Sequence, residues 1–212
     1  MELLQKLTLY DLLGYTIPGI IFLWCCVGNG FLYDLVLLED NGTVYWLVMV
    51  IIGYIAGMAI AEIMEFFTKM IGWLCERFKL DKKYWNYLCK VYGISKAELK
   101  RALKEAKQDG IEQCNGAGKI LKKYRSYIFS DIQTDEKYSR LHNYASAELL
   151  CRNMMAVFIA ALVMELQAPA LPEVVICIIG TVCFAFRFMQ FKERKMGYAA
   201  CWFIQKHMVS KK

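Results

Sequence analysis

The chain has 212 residues, 58% of them hydrophobic and 14% aromatic, with a mean hydropathy of +0.31 and a net charge of +6. A soluble domain is nearer 45–50% apolar, so a single water-soluble core does not absorb the surplus, whereas membrane spans do. The nine cysteines form no CxxC pair and read as reduced thiols packed as small apolar residues, not as a disulfide framework.

The opening MELLQK makes a poor signal peptide, having one lysine, one glutamate and no small-residue cleavage site, so the first apolar run is expected to be retained. That run, residues 12–33, lies without a charge between Asp11 and Asp34. At the helical rise it covers roughly 33 Å, enough for a bilayer core of about 30 Å. Gly14, Pro18 and Gly19 mark a bend near its start. Proline at the first helical position is the structural explanation; a kink lining a pathway is the functional one. The second run, 41–61, is uncharged between Asp40 and Glu62. A span is expected over 43–61, its helix continuing through EIMEFFTKMIGWLCERF. Gly53 and Gly57 have the small-xxx-small spacing that lets helices approach closely in lipid, within the bundle or between protomers. Glu62 and Glu65 share a face at the cytoplasmic end of this span. Carboxylates there bind cations or protons in some membrane proteins, but they also mark a helix exit cheaply.

Residues 62–148 read as a cytoplasmic helical domain inserted between two membrane hairpins. Tyr84, Trp85, Leu88 and Tyr92 recur at helical spacing. The clearest soluble helix is SKAELKRALKEAKQDG: Ser95 and Glu98 form a capping box, Leu99, Leu103 and Ala106 an apolar stripe, and Gly110 the stop. CNGAG (114–118) breaks the chain. A helix from Thr134 carries Tyr138, Leu141, Ala145 and Leu149 on one face and meets no breaker before Pro169, so it is expected to continue into the third span.

The third and fourth apolar runs, 153–164 and 174–186, are short between Arg152, Glu165, Glu173 and Arg187. Snorkelling of Arg152 and Arg187 extends them to spans over 149–166 and 171–191, with QAPALPE as the turn; a re-entrant pair is the competing arrangement. Arg152 is placed to anchor at headgroups or to pair with Glu62 or Glu65. All 26 lysines and arginines fall in residue 6, in 69–152 or in 187–212, and none in 34–40 or 165–173. That asymmetry puts both termini, the middle domain and a basic tail of 192–212 in the cytoplasm. It also explains the net charge by topology and anionic lipid, and disfavours nucleic acid as a partner.

Sets of residues that carry chemistry are missing. GAGK (116–119) lacks the phosphate-loop pattern, since Gln113 stands where glycine is needed and Ile120 follows the lysine. The two histidines, His142 and His207, form no HxxxH or HExxH, so no metal site is expected. Neither follows an arginine at the four-to-six spacing of a HEPN nuclease. GxSxG is absent. No catalytic residue and no cofactor is expected, and the chain reads as a non-enzyme.

The stretch KLTLYDLLGYTIPGIIF, with Tyr10, Asp11, Gly14, Tyr15, Pro18 and Gly19, followed by a second span, a basic helical insert and a closing hairpin, resembles the four-span membrane accessory proteins encoded beside type VI-B CRISPR RNA-guided ribonucleases. The resemblance implies a role in modulating antiviral interference at the inner membrane, as an oligomeric pore. The expected architecture is thus an all-α polytopic membrane protein with four transmembrane helices: hairpin 1–61, cytoplasmic domain 62–148, hairpin 149–191 and tail 192–212. Its expected partners are the bilayer, further copies of itself and a soluble cytoplasmic protein. Two other functions fit the same sequence. One is an anchor or scaffold for a soluble partner. The other is a small transporter using the membrane-edge carboxylates Asp11, Glu62 and Glu65.

Overall fold

A computed structural model of the chain describes residues 12–28, 42–78, 80–106, 108, 116–133, 140–166 and 171–209. They are helical, with no strand among them: a π-helical turn Leu12–Thr16, then α1 Ile17–Gly28, α2 Gly42–Arg77, α3 Leu80–Val91, α4 Lys96–Glu105, α5 Ala117–Gln133, α6 Arg140–Glu165 and α7 Leu171–Val209. Three of these helices, α2, α6 and α7, are long and apolar enough to cross a membrane. The first expected span is described only in part. Its described part ends at Gly28, giving an apolar helix of Leu13–Gly28, and residues 29–33 of the expected span lie outside the described residues.

The chain divides into two compact units, Met1–Thr68 with Ser146–Gln190, and Lys69–Ala145 with Phe191–Lys212. The boundaries fall inside α2, α6 and α7. Continuous α2 and α6 agree with the expectation that two spans run on without a break, and α7 is a third such helix.

In the first unit, backbone meets backbone. A Cβ placed on Gly19 would overlap the carbonyl oxygen of Gly53, and one on Gly57 the carbonyl oxygen of Tyr15. The spacing of Gly53 and Gly57 therefore serves contact between α2 and the helix before it. Tyr15 and Tyr54 pack edge to face beside this contact, with centroids 6.1 Å apart. Gly14 faces Leu149 of α6, where a Cβ would come within 2.7 Å of its Cδ2. Gly180 of α7 lies against Phe158 of α6, which stacks on Phe184 at 5.6 Å.

The second unit packs side chains instead. Leu88 of α3, Leu99 and Leu103 of α4, Ile120, Leu121, Ile128 and Ile132 of α5, Leu141 of α6 and Phe203 of α7 are fully buried in one core. Ser95 caps α4, its hydroxyl accepting from the Glu98 N–H at 3.1 Å. The helix stops at Glu105 rather than near Gly110, because the Gln108 N–H turns back to the Leu103 carbonyl at 3.0 Å; Gly110 itself lies outside the described residues. Between α3 and α4, Gly93 takes φ +63, and the Ile94 N–H closes on Cys89 O at 2.8 Å while buried Ile94 covers the turn. That is a Schellman stop, which needs a residue free to adopt the left-handed region. The expected helix starting at Thr134 is described from Arg140 onward; 134–139 lie outside the described residues.

Residues 192–212, grouped by charge as a tail, include Met196, Ala199, Ala200 and Phe203 of this core. Their spacing of i, i+3, i+4 and i+7 is that of a buried helical stripe. Tyr198 stacks between Tyr144 at 5.4 Å and Trp202 at 5.6 Å, and Tyr92 meets its edge at 5.5 Å. Asp131 of α5 ties α7 down, its carboxylate lying 3.2 Å from Lys206 Nζ and 3.1 Å from His207 Nε2.

Candidate functional site

The polar chemistry of the first unit gathers at two places. The first lies around the bend at the start of α1. Proline has no N–H, so in an α-helix Pro18 leaves the carbonyl four residues earlier, Gly14's, without its donor. Asn153 of α6, fully buried, donates its Nδ2 to that oxygen at 2.9 Å. The π-helical turn Leu12–Thr16 sits on the same segment; such turns widen a helix and recur at functional sites. Buried Thr16 Oγ1 and Asn153 Oδ1 have no hydrogen-bond partner among the described residues. One residue away, Arg152 donates from Nη2 to the Ala61 carbonyl at 3.4 Å. It thus reaches the turn of α2 that carries Glu62, which is exposed, and Glu65, which is half-buried.

Of the residues singled out in the sequence, the fold brings Gly14, Pro18, Gly19, Gly53, Gly57 and Arg152 into one neighbourhood. Arg187 is exposed and donates to Gln190 Oε1 at 3.2 Å. Asp11 lies outside the described residues.

The second place was missed. A cavity of about 520 Å³ opens between α1, α6 and α7, lined by Ile21, Cys25, Val157, Phe158, Ala161, Ile176 and Cys177, with Glu165 and Glu173 among its walls. In the sequence each reads only as a charge marking the outer membrane edge, and the two close the uncharged stretch 166–172. Among the described residues no group of three or more His, Cys, Asp or Glu side chains is arranged to hold a metal ion.

No family model, no curated protein and no solved structure matches this chain.

Proposed function

We propose that the chain is a non-enzymatic integral membrane protein of the inner membrane, with four crossings and both termini in the cytoplasm, working as an assembly of copies. The observation that carries the membrane reading is the apolar belt of α7. Its exposed large side chains run from Leu171 to Met189, roughly 27 Å at the helical rise, close to the hydrocarbon thickness. The described first helix, π turn included, is about 25 Å long, short of that thickness by an amount local thinning tolerates. The one-sided placement of lysine and arginine supports the orientation.

Four short crossings rarely enclose a transport path alone, so a pore-like effector role requires several copies. The place in bacterial defence rests on the resemblance of the N-terminal stretch. Inducible expression with a membrane-potential dye tests the pore: a collapse of potential supports it, and a potential unchanged under every inducing condition removes it. Reporter fusions near residues 37 and 110 test the crossings, which require opposite compartments.

The two carboxylates lining the cavity, Glu165 and Glu173, favour a second reading, in which the cavity handles a cation or proton. Glu165→Gln and Glu173→Gln then abolish flux in vesicles while leaving the amount of inserted protein unchanged. Wild-type flux in both variants ends that reading.

A further inference from the structure

The exposed apolar surface of α2 is too long for lipid to cover. It runs from Trp46 to Phe78, roughly 48 Å at 1.5 Å per residue, against a hydrocarbon core of about 30 Å. Immersing all of it needs a tilt of about 50°, beyond the 0–40° range of membrane helices. The half that stays outside is identified by its charges, because Glu62, Glu65, Lys69, Glu76 and Arg77 all lie between Ala61 and Phe78.

In that half, eight of the sixteen residues from Ile63 to Phe78 are exposed large apolar side chains. At 100° per residue they fall within an arc of about 160°, so they form one face. Glu62, Lys69 and Glu76, seven residues apart, run along its edge. Taking roughly 200 Å² for a large side chain and half of it exposed, the face offers about 800 Å², which is what each partner of a standard protein interface buries.

We infer that this face, Ile63–Leu74 of α2 with Phe78 just past its end, is covered by the same face of a second copy of the chain. The inference deepens the assembly proposed above by naming its contact surface. Ile63, Phe66, Met70 and Trp73 recur at spacings of three, four and three, the a/d seam of a two-helix coil. The membrane supplies the rest of the argument. Two copies threaded in the same direction carry this seam at the same height and parallel, so pairing places each seam residue beside its own counterpart at high effective concentration. A different protein would have to bring a matching seam at that height.

The test uses the full chain reconstituted in lipid nanodiscs and, separately, in mild detergent. A photoreactive phenylalanine analogue replaces Met70 on the face, or Gly72 on the opposite side of the helix, where nothing lies within 4 Å of a Cβ. Illumination is expected to give an adduct of twice the chain mass from position 70 and at least tenfold less from position 72. Particle mass in detergent is expected to fall to that of a monomer in the Phe66→Lys/Trp73→Lys double variant, with helix content and carbonate-resistant membrane association retained. If that variant loses helix content, the adduct arm decides alone. Lipid adducts from position 70 assign the face to the bilayer, and adducts within one chain assign it to another segment of this chain; either result overturns the inference. A multimeric particle that survives the double variant, or cross-links equally from both positions, overturns this interface and leaves the assembly standing. A monomeric wild-type particle overturns both.

Discussion

The two units bury their side chains by different rules. Of the twelve largest fully buried side chains among the described residues, nine belong to the second unit and only Met49, Asn153 and Val157 to the first. The first unit is held instead by the approach of Gly19 to Gly53 and of Gly57 to Tyr15. The proposed membrane setting of the first unit accounts for the difference. In water, removing Leu103 or Ile128 from the surface contributes about 25 cal/mol per Å². In lipid the surroundings are as apolar as leucine, so close backbone contact and hydrogen bonds are what remain to drive association. The first unit thus follows a glycine code and the second leans on buried leucine and isoleucine, although Gly118 of α5 also lies close against the α3 backbone.

The largest difference should appear when the glycine code is broken. Gly57→Leu puts a side chain onto a carbonyl oxygen with no room to shift, and should cost at least about 3 kcal/mol, the upper range of overpacking. Gly72→Ala, on the same helix with nothing within 4 Å, should gain up to about 1 kcal/mol from helix propensity. Thermal melts of the full chain in detergent separate the two, and equal melting temperatures would refute the glycine contact. Next in size is Leu103→Ala, which removes a fully buried side chain from the second unit and should cost about 2–5 kcal/mol. Hydrogen exchange should localise that loss to α4 and α5 while protection in α1 and α2 stays as it was.

The same division decides what the sequence reveals. Runs that obey one code throughout are legible. Continuous α2 and α6 follow from the absence of prolines between residues 42 and 77 and between 140 and 165, and the start of α4 follows from Ser95 and Glu98. The apolar stripe Met196, Ala199, Ala200 and Phe203 was equally visible, but Lys192, Arg194, Lys195 and Lys206 around it draw the eye to charge. Contacts that join distant segments are not legible at all. Asn153 and Gly14 lie 139 residues apart, and Asn153 at the head of a span reads only as a polar residue near the membrane edge. Glu165 of α6 and Glu173 of α7 line one cavity because of how the two helices pack, which no periodicity encodes.

A smaller effect sharpens the comparison within the first unit. If Asn153 supplies the donor that Pro18 withholds from Gly14, the two residues are energetically coupled. Asn153→Leu should cost about 0.6 to 1.7 kcal/mol, the range of hydrogen bonds between membrane helices. In the Pro18→Ala background the backbone N–H of residue 18 becomes available to that carbonyl, and the same change should cost less than half as much. A double-mutant cycle measures this directly. Strictly additive costs would mean that the Asn153 amide does not stand in for the missing N–H.

The smallest effect belongs to the second unit and to alkaline solution. Burial, with Glu193 adding to it, pushes the phenol of Tyr92 up to about 12 from its ordinary value of 10.0. The folded chain therefore holds the proton over a range in which the unfolded chain has lost it. Stability from this source is complete below about pH 10 and is lost as pH rises from 10 towards 12. Tyr92→Phe has no proton to lose there, so its melting temperature should fall less steeply over that window than the wild type's, although lysines titrate in both. The ring stays against Gly197 and Tyr198 in either case, so the two should have the same slope between pH 7 and 9. Parallel curves above pH 10 would place the Tyr92 hydroxyl in water and remove it from the packed side of α7.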